Sequence, residues 1–210
     1  MTIPNLKHAV EFIAKTPIEF WDGSNFFEMD VLGSFRSRAN PKYVPTTVLS
    51  TMGGDPIALS PTNVIRDKCT QQIYLVIASV QNSHRGSVYQ TTYSIINAPI
   101  QYQIIEKKDN AKADNGFSYG FNQLDKTEII LATTYTNITN RVAQDDFLTG
   151  SSKSRPTQVV PYTCYIDSKI GKPLRNNILR QGMTGNDYQF QSIDIEAPES
   201  FLCTLSIIGE

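Results

Sequence analysis

Glu106 and Lys108 are the residues best spaced for chemistry. They close the run Ile104-Ile105-Glu106-Lys107-Lys108, and Glu-x-Lys at the end of a strand is the spacing of some metal-dependent nucleases. That chemistry needs a second acid, usually an Asp on a neighbouring strand, to hold Mg²⁺. The nearest upstream Asp, Asp67, is distant in sequence and has no legible strand around it. His84 lies in Ser83-His84-Arg85-Gly86, a polar loop, and adjacent loop residues do not make a nucleophile–base pair. His8 falls on a helical stretch with no partner at i+4, so no zinc motif forms. Asp145-Asp146 supplies too few oxygens for Ca²⁺ and reads as a solvated helix start. Gly116-Phe117-Ser118-Tyr119-Gly120-Phe121 is too short for a phosphate loop and lacks the Lys after it; it reads as a turn with anchoring rings or part of an interface. Cys164 sits mid-strand with no basic neighbour, an inert setting for a thiol. The sequence therefore assigns no catalytic, cofactor-binding or metal-ligating residue.

Composition agrees with that reading. The chain of 210 residues holds only 2 His, 3 Cys and 1 Trp. Charged residues are 19%, below the roughly 25% usual in globular domains, and Ser, Thr, Asn and Gln take their place. Such groups can be hydrogen-bonded away in an interface without the desolvation cost of an ion. The net charge of −1 gives no field to steer the chain to nucleic acid or an anionic membrane. No run of about 20 apolar residues is present to span a bilayer as a helix. Met1–His8 shows no basic region followed by an apolar stretch, so no secretory signal is expected. Cys69, Cys164 and Cys203 are odd in number and widely spaced, and are expected to be reduced in a chain made in the cytosol.

The elements that must position these residues are mostly strands. Gln71–Val80, Val88–Ile96, Ile100–Lys107, Glu128–Asn137 and Phe201–Ile208 carry strand patterns. Gln71–Val80 is apolar on both faces and predicts a central strand covered on both sides. Phe20-Trp21 and Phe26-Phe27 flank the turn Asp22-Gly23-Ser24-Asn25, predicting a hairpin whose rings form either core or an exposed aromatic platform. Gln81–Ser87 reads as a polar hairpin loop, and Lys107–Gly120 and Thr149–Thr157 as longer polar loops. Ile129, Leu131 and Tyr135 are expected on one side of their strand. In Gln158–Ile166, Pro161 argues for an edge or a bulge. Tyr188 and Phe190 share one phase and Ile193 and Ile195 the opposite one, which predicts a β-bulge or break near Gln191-Ser192.

Helix is expected over Pro4–Lys15, where Leu6, Ala9, Val10 and Ile13 form an apolar stripe. Shorter helical turns are expected from Ser60-Pro61 through Lys68, over Ile138–Leu148, and around Leu174, Ile178 and Leu179 before Gly182. Gly33–Asn63 is punctuated by Pro41, Pro45, Pro56 and Pro61 and reads as an extended arm with a short strand near Thr46–Thr51. The expected fold is mainly β, an antiparallel sandwich or barrel, in a single domain over 1–210 with a short N-terminal α-helix at about 4–15 and an arm at about 33–63.

Taken together, the Pro4–Lys15 helix, the Gly33–Asn63 arm, the basic loop Ser151–Arg155 and the low-charge strands from Gln71 to Ile208 resemble structural proteins of tailed-bacteriophage particles, of the neck, tail-completion and baseplate type. The resemblance is one of composition and layout and carries over no functional residue. It implies a non-enzymatic virion protein, assembled in the host cytoplasm, whose partners are copies of itself and other virion proteins. The strand Phe201–Ile208 is then expected to complete a sheet in its own chain or a neighbour's. Two other readings stand beside this one. The first is a module binding a small molecule or glycan through Trp21, Phe26 and Phe27. The second, ranked last, is the divalent-metal nuclease using Glu106 and Lys108.

Overall fold

Six strands near the start of the chain close on themselves. In the computed structural model, which describes residues 16–38, 46–109, 126–140, 162–182 and 185–208, these are β1 (Thr16–Trp21), β2 (Phe26–Arg38), β3 (Thr46–Met52), β4 (Val64–Asp67), β5 (Ile73–His84) and β6 (Ser87–Asn97). They form an antiparallel barrel in the order β1-β2-β3-β6-β5-β4, with β4 returning to β1. Seven more strands make a second antiparallel sheet: β7 (Ile100–Asp109), β8 (Lys126–Thr136), β9 (Thr139–Asn140), β10 (Tyr162–Asp167), β11 (Asn177–Arg180), β12 (Asp187–Glu196) and β13 (Ser200–Ile208). Their order is β8-β7-β11-β12-β13-β10-β9. The expected β class is correct, and of the two architectures offered it is the barrel that forms. No α-helix occurs among the described residues, only single 3-10 turns at Ile57–Leu59 and Ser168–Ile170, and none is long and apolar enough to cross a membrane. The Pro4–Lys15 helix lies outside the described residues, as do Gly116–Phe121, Asp145-Asp146 and Thr149–Thr157.

Local chemistry accounts for the turns. Asp22 accepts from the backbone N–H groups of Ser24 and Asn25, each at 2.7 Å, and Gly23 takes φ +106°. That Asx-type closure aligns Trp21 with Phe26 and Phe20 with Phe27 across the hairpin. β5 and β6 meet in a tighter turn than the polar run suggested. Arg85 (φ +50°) and Gly86 (φ +81°) both enter the left-handed region, so His84 pairs with Ser87 and both strands run to the tip. Gly33 is required for another reason. A Cβ there would overlap Leu49 and Ile18 inside the barrel.

The barrel interior is filled by side chains such as Phe20, Leu49, Ile65, Tyr74 and Tyr93. The second sheet buries Ile104, Cys164, Ile166, Leu179, Phe190 and Leu205 on one face. It curls to do so: the Thr136 hydroxyl of β8 donates to the Tyr165 carbonyl of β10 at 2.7 Å, joining near-opposite ends of the strand order. A third cluster lies between the two units. Trp21, Val64, Leu75, Ile96 and Ala98 from the barrel side meet Tyr135 and Tyr165 of the second sheet. β5 shows why its two apolar faces were needed. Tyr74 and Val76 face the barrel core, whereas Leu75 and Ile77 face this seam.

Polar groups fasten the same seam. Asp167 is fully buried; one carboxylate oxygen accepts from the Asn63 N–H at 2.6 Å and the other from the Lys169 N–H at 2.9 Å. The Asn63 amide donates to the Glu199 carbonyl at 2.7 Å, and Lys169 Nζ to the Ser60 carbonyl at 2.7 Å. Burial holds the Asp167 carboxyl above its ordinary range, with the two N–H donors and Lys169 pulling the other way.

Several expectations need correction. Gly33–Asn63 is not an arm in its described part. Gly33–Arg38 completes β2, and the short strand expected near Thr46–Thr51 is barrel strand β3. From there Ile57–Leu59 forms a 3-10 turn and Ile57 is buried. Pro56 and Pro61 fall between strands, where they interrupt no ladder; Pro41 and Pro45 lie outside the described residues. The helical turn from Ser60 to Lys68 is instead a bend over 60–63 followed by β4, and Ile178 and Leu179 belong to strand β11. Apolar runs this short carry too few residues to separate a 3.6 period from a 2.0 period. The start of Ile138–Leu148 is extended, with Thr139–Asn140 as β9; the rest lies outside the described residues, as does Pro161. β7 runs through Lys107 and Lys108 to Asp109 rather than stopping at a loop. The predicted bulge in β12 is present, with shifts at Phe190/Ser192 and Ile193/Ile195.

Asp167→Ala removes the acceptor for two backbone N–H groups and an anion that favours the charged Lys169 ammonium. Urea unfolding is expected to show a loss of about 3 kcal/mol, and Asp167→Asn, which keeps one acceptor, a smaller one.

Candidate interaction surface

β8 is an outer strand of the second sheet, and it is where the alternation of buried and exposed residues fails. Ile104 pairs with Ala132 and Ile105 with Ile130, so Leu131 is an extra residue on β8. A bulge of this kind breaks the in-and-out alternation. Beside it stand three consecutive exposed apolar side chains: Ile129 (37% exposed), Ile130 (56%) and Leu131 (51%). The expectation that Ile129, Leu131 and Tyr135 lie on one side does not hold across the bulge: Ile129 and Leu131 are exposed, whereas Tyr135 packs against Trp21 at 5.1 Å between ring centres. Tyr135 lies beyond the bulge, and the bulge is not visible in β8's own residues because it depends on the strand opposite.

Four charges beside this strip are matched among themselves. Arg180 on β11 donates to Glu128 at 2.6 Å and to Asp187 at 2.7 Å, and Lys107 stands 3.5 Å from Glu128. Hydrogen bonds from Arg180 hold the carboxyls of both Glu128 and Asp187 below the usual carboxylate range. The far end of the sheet is blunted differently, by the two-residue strand β9. The last strand, β13, lies between β12 and β10 and completes a sheet in its own chain.

Two further surfaces carry exposed apolar groups. The β5–β6 hairpin runs past its neighbours: β4 pairs with β5 at Ile73–Leu75 and β3 with β6 at Gln90–Ile95. Val80 and Tyr89 stand exposed on the projecting part. A shallow depression of about 430 Å³ lies beside Leu32, Met52 and Leu59, with Asp30 and Asp55 among its walls. Asp55 accepts from the Tyr93 hydroxyl at 2.7 Å, and burial with this bond pushes the phenol upward.

The residues singled out for chemistry do not converge. Glu106 lies 3.5 Å from Lys108, its neighbour two residues along the same strand. Asp67 is in the barrel, on another sheet, where its carboxylate closes a turn by accepting from the N–H groups of Cys69 and Thr70. No group of three or more His, Cys, Asp or Glu side chains gathers as metal ligands among the described residues. His84 is exposed at the tip of the β5–β6 hairpin. The aromatic platform is dismantled by packing: Trp21 is 4% exposed in the seam, Phe26 packs beside it, and Phe27 packs against the barrel core. Cys164 and Cys203 face each other across β10 and β13, a pairing that sequence spacing does not show. Burial pushes both thiols up, that of Cys203 to about 12.

No family model matches the chain, and no curated protein or solved structure does.

Two outcomes follow for solution work. In the folded protein only Cys69, which is exposed, should react with a thiol-specific chromogenic disulfide at neutral pH; one thiol is expected before unfolding and three after it. Acid should also loosen the β8–β11–β12 region. Glu128 and Asp187 have depressed values when folded, so their support is complete above the unfolded carboxylate range and disappears as pH falls through the folded values. Hydrogen exchange at Ile178–Arg180 followed down a pH series, after correction for the intrinsic rate, should show that loss; Arg180→Ala should abolish the pH dependence.

Proposed function

We propose that the chain is a non-enzymatic structural protein of a viral particle, of the neck, tail-end or baseplate kind found in tailed phages. It works through contacts with copies of itself and with other particle proteins. The observation that carries the reading is the exposed apolar strip Ile129–Leu131 on an outer strand. Isolated exposed apolar residues are ordinary, but three in a row on a sheet edge are a docking feature or an aggregation hazard. The projecting β5–β6 hairpin with Val80 and Tyr89 adds a second contact element, and the doubly covered seam supplies a rigid body on which both are carried. Low charge density suits such a role, since many copies can pack with little mutual repulsion.

Light scattering coupled to size exclusion, run over rising concentration, tests the proposal. The full chain is expected to shift toward oligomers, or to bind particles lacking it. A monomer at every concentration that also fails to bind such particles would remove it. In parallel, Glu106→Ala and the parent chain should give identical results when incubated with DNA and Mg²⁺ or Mn²⁺. Cleavage by the parent that the substitution abolishes would instead establish the nuclease reading.

A further inference from the structure

We infer that Cys164 and Cys203 form a reversible disulfide site, a cross-strand dithiol whose oxidation clamps β10 to β13 beside the seam. The inference stands apart from the assembly reading and does not depend on it.

The backbone sets the spacing. Cys164 and Cys203 are directly opposed in an antiparallel pair. Opposed residues in such a pair have Cα atoms about 4.5 or 5.5 Å apart and side chains on one face. A disulfide spans about 4.4–6.8 Å between Cα atoms. Both side chains lie in one buried cluster with Ile166 and Leu205, and both thiols are free. The Cys203 thiol is close enough to that of Cys164 to add to the upward push of burial. Paired thiolates can also ligate a metal, but a closed structural site takes four ligands. No group of three or more His, Cys, Asp or Glu side chains gathers among the described residues. Bond formation between the two sulfurs is the chemistry this pair can do.

The oxidant is a small disulfide of the glutathione class. One protein thiol loses its proton and attacks a glutathione sulfur, releasing a glutathione thiolate that takes up a proton. The second protein thiol then attacks the protein sulfur of the mixed disulfide and releases the second glutathione in the same way. Two protein thiols are oxidised, and one glutathione disulfide is reduced to two thiols. Burial keeps both cysteines protonated, so the first attack needs a local opening of β10 and closure is slow.

Position gives the bond a consequence. Asp167, three residues after Cys164, pairs with Ser200, three residues before Cys203. The Asp167 carboxylate accepts from the Asn63 backbone N–H, and the Glu199 carbonyl accepts from the Asn63 side-chain amide. β10 and the approach to β13 thus supply two acceptors for one asparagine on the barrel side. A covalent link between the strands fixes the spacing of those acceptors.

The test uses the full chain carrying Cys69→Ser, which removes the exposed thiol. The native protein is incubated with oxidised glutathione at mildly alkaline pH, then unfolded in N-ethylmaleimide, and its peptides are mapped by mass. A Cys164–Cys203 crosslink is expected, with both free thiols lost and both restored by dithiothreitol. Hydrogen exchange at the Asn63 backbone amide should slow about tenfold on oxidation and recover on reduction. If Cys69→Ser fails to fold, the parent chain with Cys69 first blocked by N-ethylmaleimide takes its place. Thiols that survive prolonged incubation, or a product that stops as a glutathione adduct, would overturn the site. A crosslink that leaves exchange at Asn63 unchanged would overturn the clamp.

Discussion

A carboxylate sealed between two β-units sets the terms for this molecule. Asp167 has no exposure, and a buried charge of that kind is tolerated only when its oxygens are occupied. Its two oxygens accept from Asn63 just before β4 and from Lys169 just after β10. Barrel and second sheet must therefore sit in one relative position, since a shift of one residue would strand the acid and the Asn63 donor. The apolar seam around Trp21 and Leu75 supplies area, but area is tolerant of sliding. The hydrogen bonds supply the register.

That constraint explains how the rest of the surface is disposed. β5 is central because it faces the barrel core on one side and the seam on the other. Once the seam is locked, β8 is anchored at its C-terminal half through Tyr135 and Thr136. Its N-terminal half, from Thr127 through Leu131, is exposed and carries the apolar run Ile129–Leu131. The same logic separates the candidate catalytic groups. Glu106 rides on β7 and Asp67 on β4, and the seam keeps them in different units, each committed to a local partner.

How much was legible follows from what each signal encodes. Strand identity was clear where alternation ran for eight or more residues, as in β5, β6 and β7. The Asp22–Asn25 turn and the slip in β12 were also clear, since both are written in neighbouring residues: an Asx acceptor with a glycine, and a change of apolar phase. Shorter runs were misread. Asn-Ile-Leu-Arg of β11 has too few residues to show a period, and it is a strand because β7 and β12 flank it. The prolines of Gly33–Asn63 suggested an arm, yet Gly33, Leu49 and Thr51 of the same stretch are close-packed parts of a barrel wall. Among candidate site residues, the exposed position of His84 and the core role of Trp21 agree with one of the alternatives open from sequence, but alternation placed Ile129, Leu131 and Tyr135 on one side of β8, and the register shift against β7 breaks that grouping.

What the chain's own order of residues determined was its class: pleated strands, tight turns, few reactive groups and a low charge density. Tertiary structure alone decided which strands close a barrel, which acid is buried at the seam, which two thiols face each other and which apolar residues remain in water. The physical reason is that periodicity tells a residue to be covered on one side without naming what covers it. Coverage, bulge placement and the burial of Asp167 are properties of pairs of strands far apart in sequence, and they exist only once those strands meet.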